Sequence, residues 1–309
     1  MMAQSPFCWK YNEMDTAFAL AERIFLTVFP LFAIVLGGYL YGRYKKPDMT
    51  LANQLNMDIF VPALVFFVLS DKSFDLVKYQ GLAIGAALVI LGSGLLLWPL
   101  CKILKVQPKT FLPPMMFSNS GNLGLPLIIL AFGEQALPAA IMLFIVEMTL
   151  HFTVGIYMMD HRTNPWRLLR MPIIIATIAG LAWSSLSLPM PASIATSLDM
   201  LGQISIPLLL FTLGVRLITV DFSAWRIGVT GAVLSPLAGI LIAYAVQQLL
   251  HLDAEQFVYL IIFGALPPAV LNYIVAEQYN QEPKQVASIV LLGNMGALLF
   301  IPATLVFVL

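Results

Sequence analysis

The chain has 309 residues, 60% of them hydrophobic and 10% charged, with 16 Lys and Arg against 16 Asp and Glu. Ordinary globular chains run at about 45–50% apolar and about 25% charged, so this one has too few charges to coat a soluble domain and too much apolar content for disorder. The even charge balance excludes a basic nucleic-acid surface, which leaves an all-α integral membrane protein with room for about ten spans at roughly 30 residues each.

The N-terminal stretch before the first apolar run is acidic and lacks a basic n-region, so it does not read as a cleaved signal peptide. Apolar runs then predict spans near 22–42, 52–70, 80–101, 111–132 and 137–159. After a short basic break, DHRTNPWRLLRM at 160–171, five more follow near 172–189, 194–217, 227–250, 257–278 and 285–309. The two cysteines, Cys8 and Cys101, make no disulfide framework and are expected on opposite sides of the membrane.

Basic residues set the orientation. Arg43, Lys45 and Lys46 follow span one; Lys102, Lys105 and Lys109 follow span three; Arg162, Arg167 and Arg170 follow span five. Arg216 and Arg226 follow span seven and Lys284 follows span nine. The even-numbered loops hold only Lys72 and Lys78, so the odd loops are expected in the cytoplasm and both termini outside.

The halves 1–159 and 172–309 echo each other. Pro30 and Gly38 of span one recur as Pro172 and Gly180 of span six, Pro62 and Phe66 of span two as Pro207 and Phe211 of span seven, and Gly94 of span three as Gly239 of span eight. Five spans per half is odd, so the halves are expected to be inverted, the arrangement of alternating-access carriers with a site at the repeat interface.

Spans four and nine cannot be ordinary helices. Span four holds Ser118-Asn119-Ser120-Gly121-Asn122-Leu-Gly124-Leu-Pro126, and span nine holds Pro267-Pro268-Ala-Val-Leu-Asn272. Proline removes a backbone donor, glycine weakens the helix, and lipid offers no partner to the backbone groups released. Two broken helices crossing antiparallel would place half-helix ends and the amides of Asn119, Asn122 and Asn272 near the bilayer centre. Aligning the halves sets Asn272 opposite Pro126. No Lys or Arg lies inside spans four or nine, so a bound anion is expected to be held by dipoles and amides without a salt bridge.

Glu147 and His151 in span five are four residues apart on one face, a pair that can carry a coupled proton or simply pack. Glu147 corresponds to Asn294 in span ten. Asp58 in span two is a weaker proton-coupling candidate that also suits a surface cap, while Asp71 and Arg216 read as boundary residues without transport chemistry.

The motifs from Ser118 to Leu127 and from Pro268 to Tyr279, with Phe29-Pro30 to Gly38 and Asn56 to Pro62, resemble the auxin efflux carrier family, whose prokaryotic members include malate and malonate permeases. The resemblance implies ten helices as two inverted five-helix repeats with broken crossover helices four and nine. It further implies a scaffold of spans one, two, six and seven, homodimerisation through spans two and seven, and an elevator-like transport domain of spans three to five and eight to ten. The family's crossover motifs fall on Asn119 to Pro126 and Pro267 to Asn272. Plant auxin carriers have proline at the position of Asn272 and a long central loop, so the comparison favours the bacterial small-carboxylate branch.

The expected function is therefore secondary transport of a small organic anion across the plasma membrane, bacterial inner membrane in the implied branch, driven by protons or membrane potential. The substrate site is expected at Ser118, Asn119, Ser120, Gly121, Asn122, Gly124, Pro126, Pro267, Pro268 and Asn272. No cofactor or metal is expected, and no ATP-binding Gly-x-x-x-x-Gly-Lys loop occurs. A sodium-coupled anion symporter on a related ten-helix fold is the alternative; a channel and an intramembrane hydrolase fit the residues less well.

Overall fold

A computed structural model describes residues 6–71, 74–161, 169–219 and 224–309, with the backbone alone for 6–17 and 219. The side chains of Cys8 and Lys10, together with Lys72, Arg162, Trp166 and Arg167, lie outside the described residues.

The helices in chain order are α1 (Pro6–Lys45), α2 (Thr50–Leu69), α3 (Leu76–Leu104), α4 (Pro108–Met116), α5 (Ser120–Phe132) and α6 (Glu134–Met159). They continue as α7 (Pro172–Ser185), α8 (Ala192–Arg216), α9 (Trp225–Leu250), α10 (Ala254–Ala265), α11 (Leu271–Gln278) and α12 (Pro283–Val308). Among the described residues seven helices are long and apolar enough to cross a membrane: α1 from Phe18, then α2, α3, α6, α8, α9 and α12. Three shorter apolar helices, α5, α7 and α10, complete the apolar set. The first helix starts well before the expected residue 22, because nothing between Pro6 and the apolar run breaks it.

Local chemistry marks the ends. Asp75 caps α3 by accepting from the Val77 N–H at 2.9 Å, and Asp253 caps α10 by accepting from the Gln256 N–H at 2.8 Å. Three helices close on left-handed residues, α1 at Lys46 (φ 46°), α3 at Lys105 (φ 55°) and α9 at His251 (φ 50°). Three helices contain a wide π turn: Asn56–Phe60 in α2, Ser120–Gly124 in α5 and His151–Gly155 in α6.

The helices pack as two groups. In the first, α1 lies against α8, and α2 against α7 and α8. In the second, α9 lies against α12, α10, α3 and α4, while α3 also packs on α4 and α6. Backbones meet closely in both groups. A Cβ on Gly38 would stand 2.1 Å from the Phe211 carbonyl oxygen, and one on Gly239 would stand 2.0 Å from the Gly264 oxygen. Such contacts need small residues, as is usual where helices associate in lipid. The groups meet along α5, which touches both α1 and α8.

Candidate functional site

The fourth apolar segment is broken at residues 117–119 and the ninth at 266–270. Pro267 and Pro268 have no N–H to continue α10, and Leu266, which precedes the first of them, turns extended with ψ 145°. On the other side Phe117 is extended at ψ 104°, followed by a run of Ser and Asn whose side chains compete for backbone partners.

The two breaks pair with each other. Ser118 and Pro268 form an isolated antiparallel bridge, flanked by Asn119 N–H donating to the Pro267 oxygen at 2.7 Å and Ala269 N–H donating to the Phe117 oxygen at 2.9 Å. Backbone groups freed by each break are thus satisfied by the other. Asn122 and Asn272 each stand four residues past a bridge residue, on segments that run in opposite directions.

Side chains finish the junction. The Asn272 amide donates to the Phe117 oxygen at 2.9 Å and to the Ala269 oxygen at 3.0 Å, stitching one break to the other. Asn119 donates to the Asn294 Oδ1 at 2.8 Å, and the Asn294 amide donates to the Pro268 oxygen at 2.9 Å. All three asparagines are buried. Gly124 lies against Leu266, and Pro268 against Gly293, so both contribute packing at the junction.

A cavity of about 440 Å³ opens beside the junction. Ser118, Asn119, Gly121, Asn122 and Glu147 line it on one side, and Asn53, Asp58, Thr212 and Arg216 on the other. Gly121 and Asn122 belong to the first turn of α5, where backbone N–H groups have no partner within the helix. All three π turns reach this cavity, through Met57 and Asp58, through Gly121 and Asn122, and through Phe152. Wide turns of this kind concentrate at functional sites.

Behind the wall, Glu147 holds a buried chain. Its Oε2 accepts from Ser120 Oγ at 3.3 Å, and its Oε1 lies 3.1 Å from His151 Nδ1. His151 is stacked on Phe117 with ring centroids 4.3 Å apart and planes at 13°. Glu147 is among the residues that line the cavity, and His151 is not.

The expected residues therefore divide. Ser118, Asn119, Gly121, Asn122, Glu147 and Asp58 line one cavity. Ser120 acts through Glu147, while Pro267, Pro268 and Asn272 build the junction without lining the cavity. Pro126 lines a different cavity of about 610 Å³ with Pro30, Glu134, Asp199 and Gln203, because it lies seven residues past Asn119 and so about 10 Å along the helix. Arg216, outside spans four and nine, is the one basic residue among the described residues lining the 440 Å³ cavity. Asn294, Asn53, Gln54 and Thr212 also enter the site without having been singled out for it. Among the described residues no three His, Cys, Asp or Glu side chains are placed to hold a metal ion.

The sequence profile of a family described as "Membrane transport protein" matches residues 23–165 and 161–308. The chain is 23% identical over 290 residues to an uncharacterized transporter of Methanocaldococcus jannaschii, covering 87% of this chain and 93% of that one. It is 28% identical over 151 residues to auxin efflux carrier component 3a of Oryza sativa subsp. japonica, covering 46% of this chain and 24% of the rice protein. It is 33% identical over 113 residues to a candidate malonate transporter of Rhizobium meliloti, covering 33% of this chain and 35% of that one.

Proposed function

The chain belongs to the membrane transport protein family, the auxin efflux carriers, as a multi-pass membrane transporter and not an enzyme, and from that membership we propose that it is a secondary carrier of a small organic anion such as a dicarboxylate. One observation carries the reading: a cavity beside two mutually paired helix breaks, lined by first-turn N–H groups, by asparagine amides and by an ionisable Glu147. Half-helix N-termini carry partial positive charge, which suits an anion and costs nothing to reorganise.

The proton is the proposed coupling ion. Glu147 lines the cavity, so its negative charge would repel an anion at the junction. A proton taken up by the Glu147–His151 pair removes that charge, so proton and anion favour each other's binding by the same factor. Raising the proton concentration should then tighten anion binding.

Ten spans in two inverted repeats are the proposed topology, with α4 and α5 counted as one broken span and α10 and α11 as another. A reciprocal contact supports it: Gly38 lies against the Phe211 oxygen, and Gly180 lies 3.2 Å, measured from an added Cβ, from the Phe66 oxygen. The proposed moving body is the group around α3 to α6 and α9 to α12, sliding against a scaffold of α1, α2, α7 and α8. Cavities on either end of the α5–α8 seam suit that motion. The proposed orientation puts the 440 Å³ cavity toward the cytoplasm and both termini outside, in a homodimer through α2 and α8.

The test is counterflow and uptake of radiolabelled malate, malonate and indole-acetate in proteoliposomes, under imposed pH or sodium gradients, with wild type and Asn122→Ala side by side. Saturable flux that follows the pH gradient and falls in the variant is expected. Flux that follows sodium alone would replace the proton by sodium, and unchanged flux in the variant would move the site elsewhere.

A further inference from the structure

Arg216 ends α8, on the wall of the 440 Å³ cavity that faces the paired breaks. It belongs to the helix group opposite the one that carries Ser118 to Asn122. The same cavity is lined by Phe144, Met148, Ile173, Leu209 and Val270, and by the acidic residues Asp58 and Glu147. The cavity therefore brings amide and backbone donors of one helix group and an arginine of the other to a single, mostly apolar lining. That pattern matches an anion with two acidic groups on a short apolar spacer better than one with a single acidic group.

Resting on the anion-carrier reading, we propose that Arg216 is a specificity-determining residue, which takes the second carboxylate of a substrate whose first carboxylate sits on the crossover donors. The guanidinium is planar and always charged, and it meets a carboxylate through two parallel N–H donors, which a lysine ammonium cannot reproduce. A monocarboxylate bound at the crossover leaves Arg216 without this contact and gains nothing from it. A bound dicarboxylate also spans the seam between the two helix groups, so it stabilises this arrangement of them more than a monocarboxylate does.

Malonate and propionate make the comparison, since they share a three-carbon frame and differ by one carboxylate. Counterflow in proteoliposomes is measured for wild type, Arg216→Gln and Arg216→Lys. In Arg216→Gln the KM for malonate is expected to rise about 10- to 100-fold, the usual worth of a charge-assisted hydrogen bond, while the value for propionate stays within about a factor of two. Arg216→Lys is expected to recover part of the malonate affinity. An equal shift for both anions, or none for malonate, overturns the assignment. If Arg216→Gln does not yield folded protein, Arg216→Lys decides: a rise confined to malonate supports the role, and equal values for both anions refute it. Absence of saturable flux in wild type for malonate, malate, propionate and indole-acetate alike sinks the carrier reading itself, a result distinct from loss of selectivity.

Discussion

Leu209 and Leu210 are neighbours in α8 and face opposite cavities, Leu209 the one beside the paired breaks and Leu210 the one that holds Pro126. Both are buried, at 4% and 2% exposure. Consecutive residues on a helix point about 100° apart, so one step of chain serves as a partition between two compartments. Leu210→Ala is expected to open that partition. Liposomes carrying the variant should lose trapped substrate without an imposed gradient, faster than wild type; equal leak rates would mean that the seal lies elsewhere.

The asparagine pair at the junction should be strongly coupled. Asn119→Ala leaves the buried Asn294 Oδ1 without its donor, a loss of about 1–3 kcal/mol. Asn119→Ala with Asn294→Ala is expected to cost less than the two single changes added together, since the partner no longer stands orphaned. Thermal unfolding of the four proteins in detergent measures the cycle, and strict additivity would contradict the shared bond.

Glu147→Gln fixes the cavity wall in a neutral form while keeping a group able to accept from Ser120. The variant is expected to keep counterflow and to lose accumulation driven by a pH gradient. Counterflow and gradient-driven uptake, measured at several pH values, separate these effects; a variant with the wild-type pH profile would remove Glu147 from the coupling.

Close backbone contact between α9 and α10 leaves no room at Gly239. Gly239→Val should cost about 1–3 kcal/mol or more by overpacking, because the obstructing atom is the Gly264 carbonyl and cannot swing away. The yield of monodisperse protein and its melting temperature test this, and wild-type behaviour of the variant would show that the helices can part cheaply.

Much of this was legible in the residues. Long apolar runs between charged breaks located most helix ends to within a few positions, the start of α1 excepted, and Pro267-Pro268 with the Gly and Asn cluster at 118–126 located both breaks. That the two breaks hydrogen-bond to each other, Ser118 against Pro268, was not legible, because the residues lie 150 apart in the chain and only folding brings them together. Arg216 was read only as a boundary residue, and its place on the cavity wall was not legible for a different reason. A cation at a helix end reads as loop charge in a linear sequence, and only packing of α8 against α5 turns it toward the cavity. Asn272 was found by its type and position, yet its amide is occupied in joining Phe117 to Ala269.

The three π turns have a further consequence, in the lengths of related chains. A π turn is an ordinary helix that has taken in one extra residue, and the strain is relieved when that residue is lost. Asn56–Phe60, Ser120–Gly124 and His151–Gly155 each contribute at least one residue to the wall of one cavity. Single-residue deletions within these three segments should leave straighter, more regular helices that have lost the carrier's activity. A relative freed from the same task would be recognised by one-residue gaps at these places when its sequence is laid beside this one.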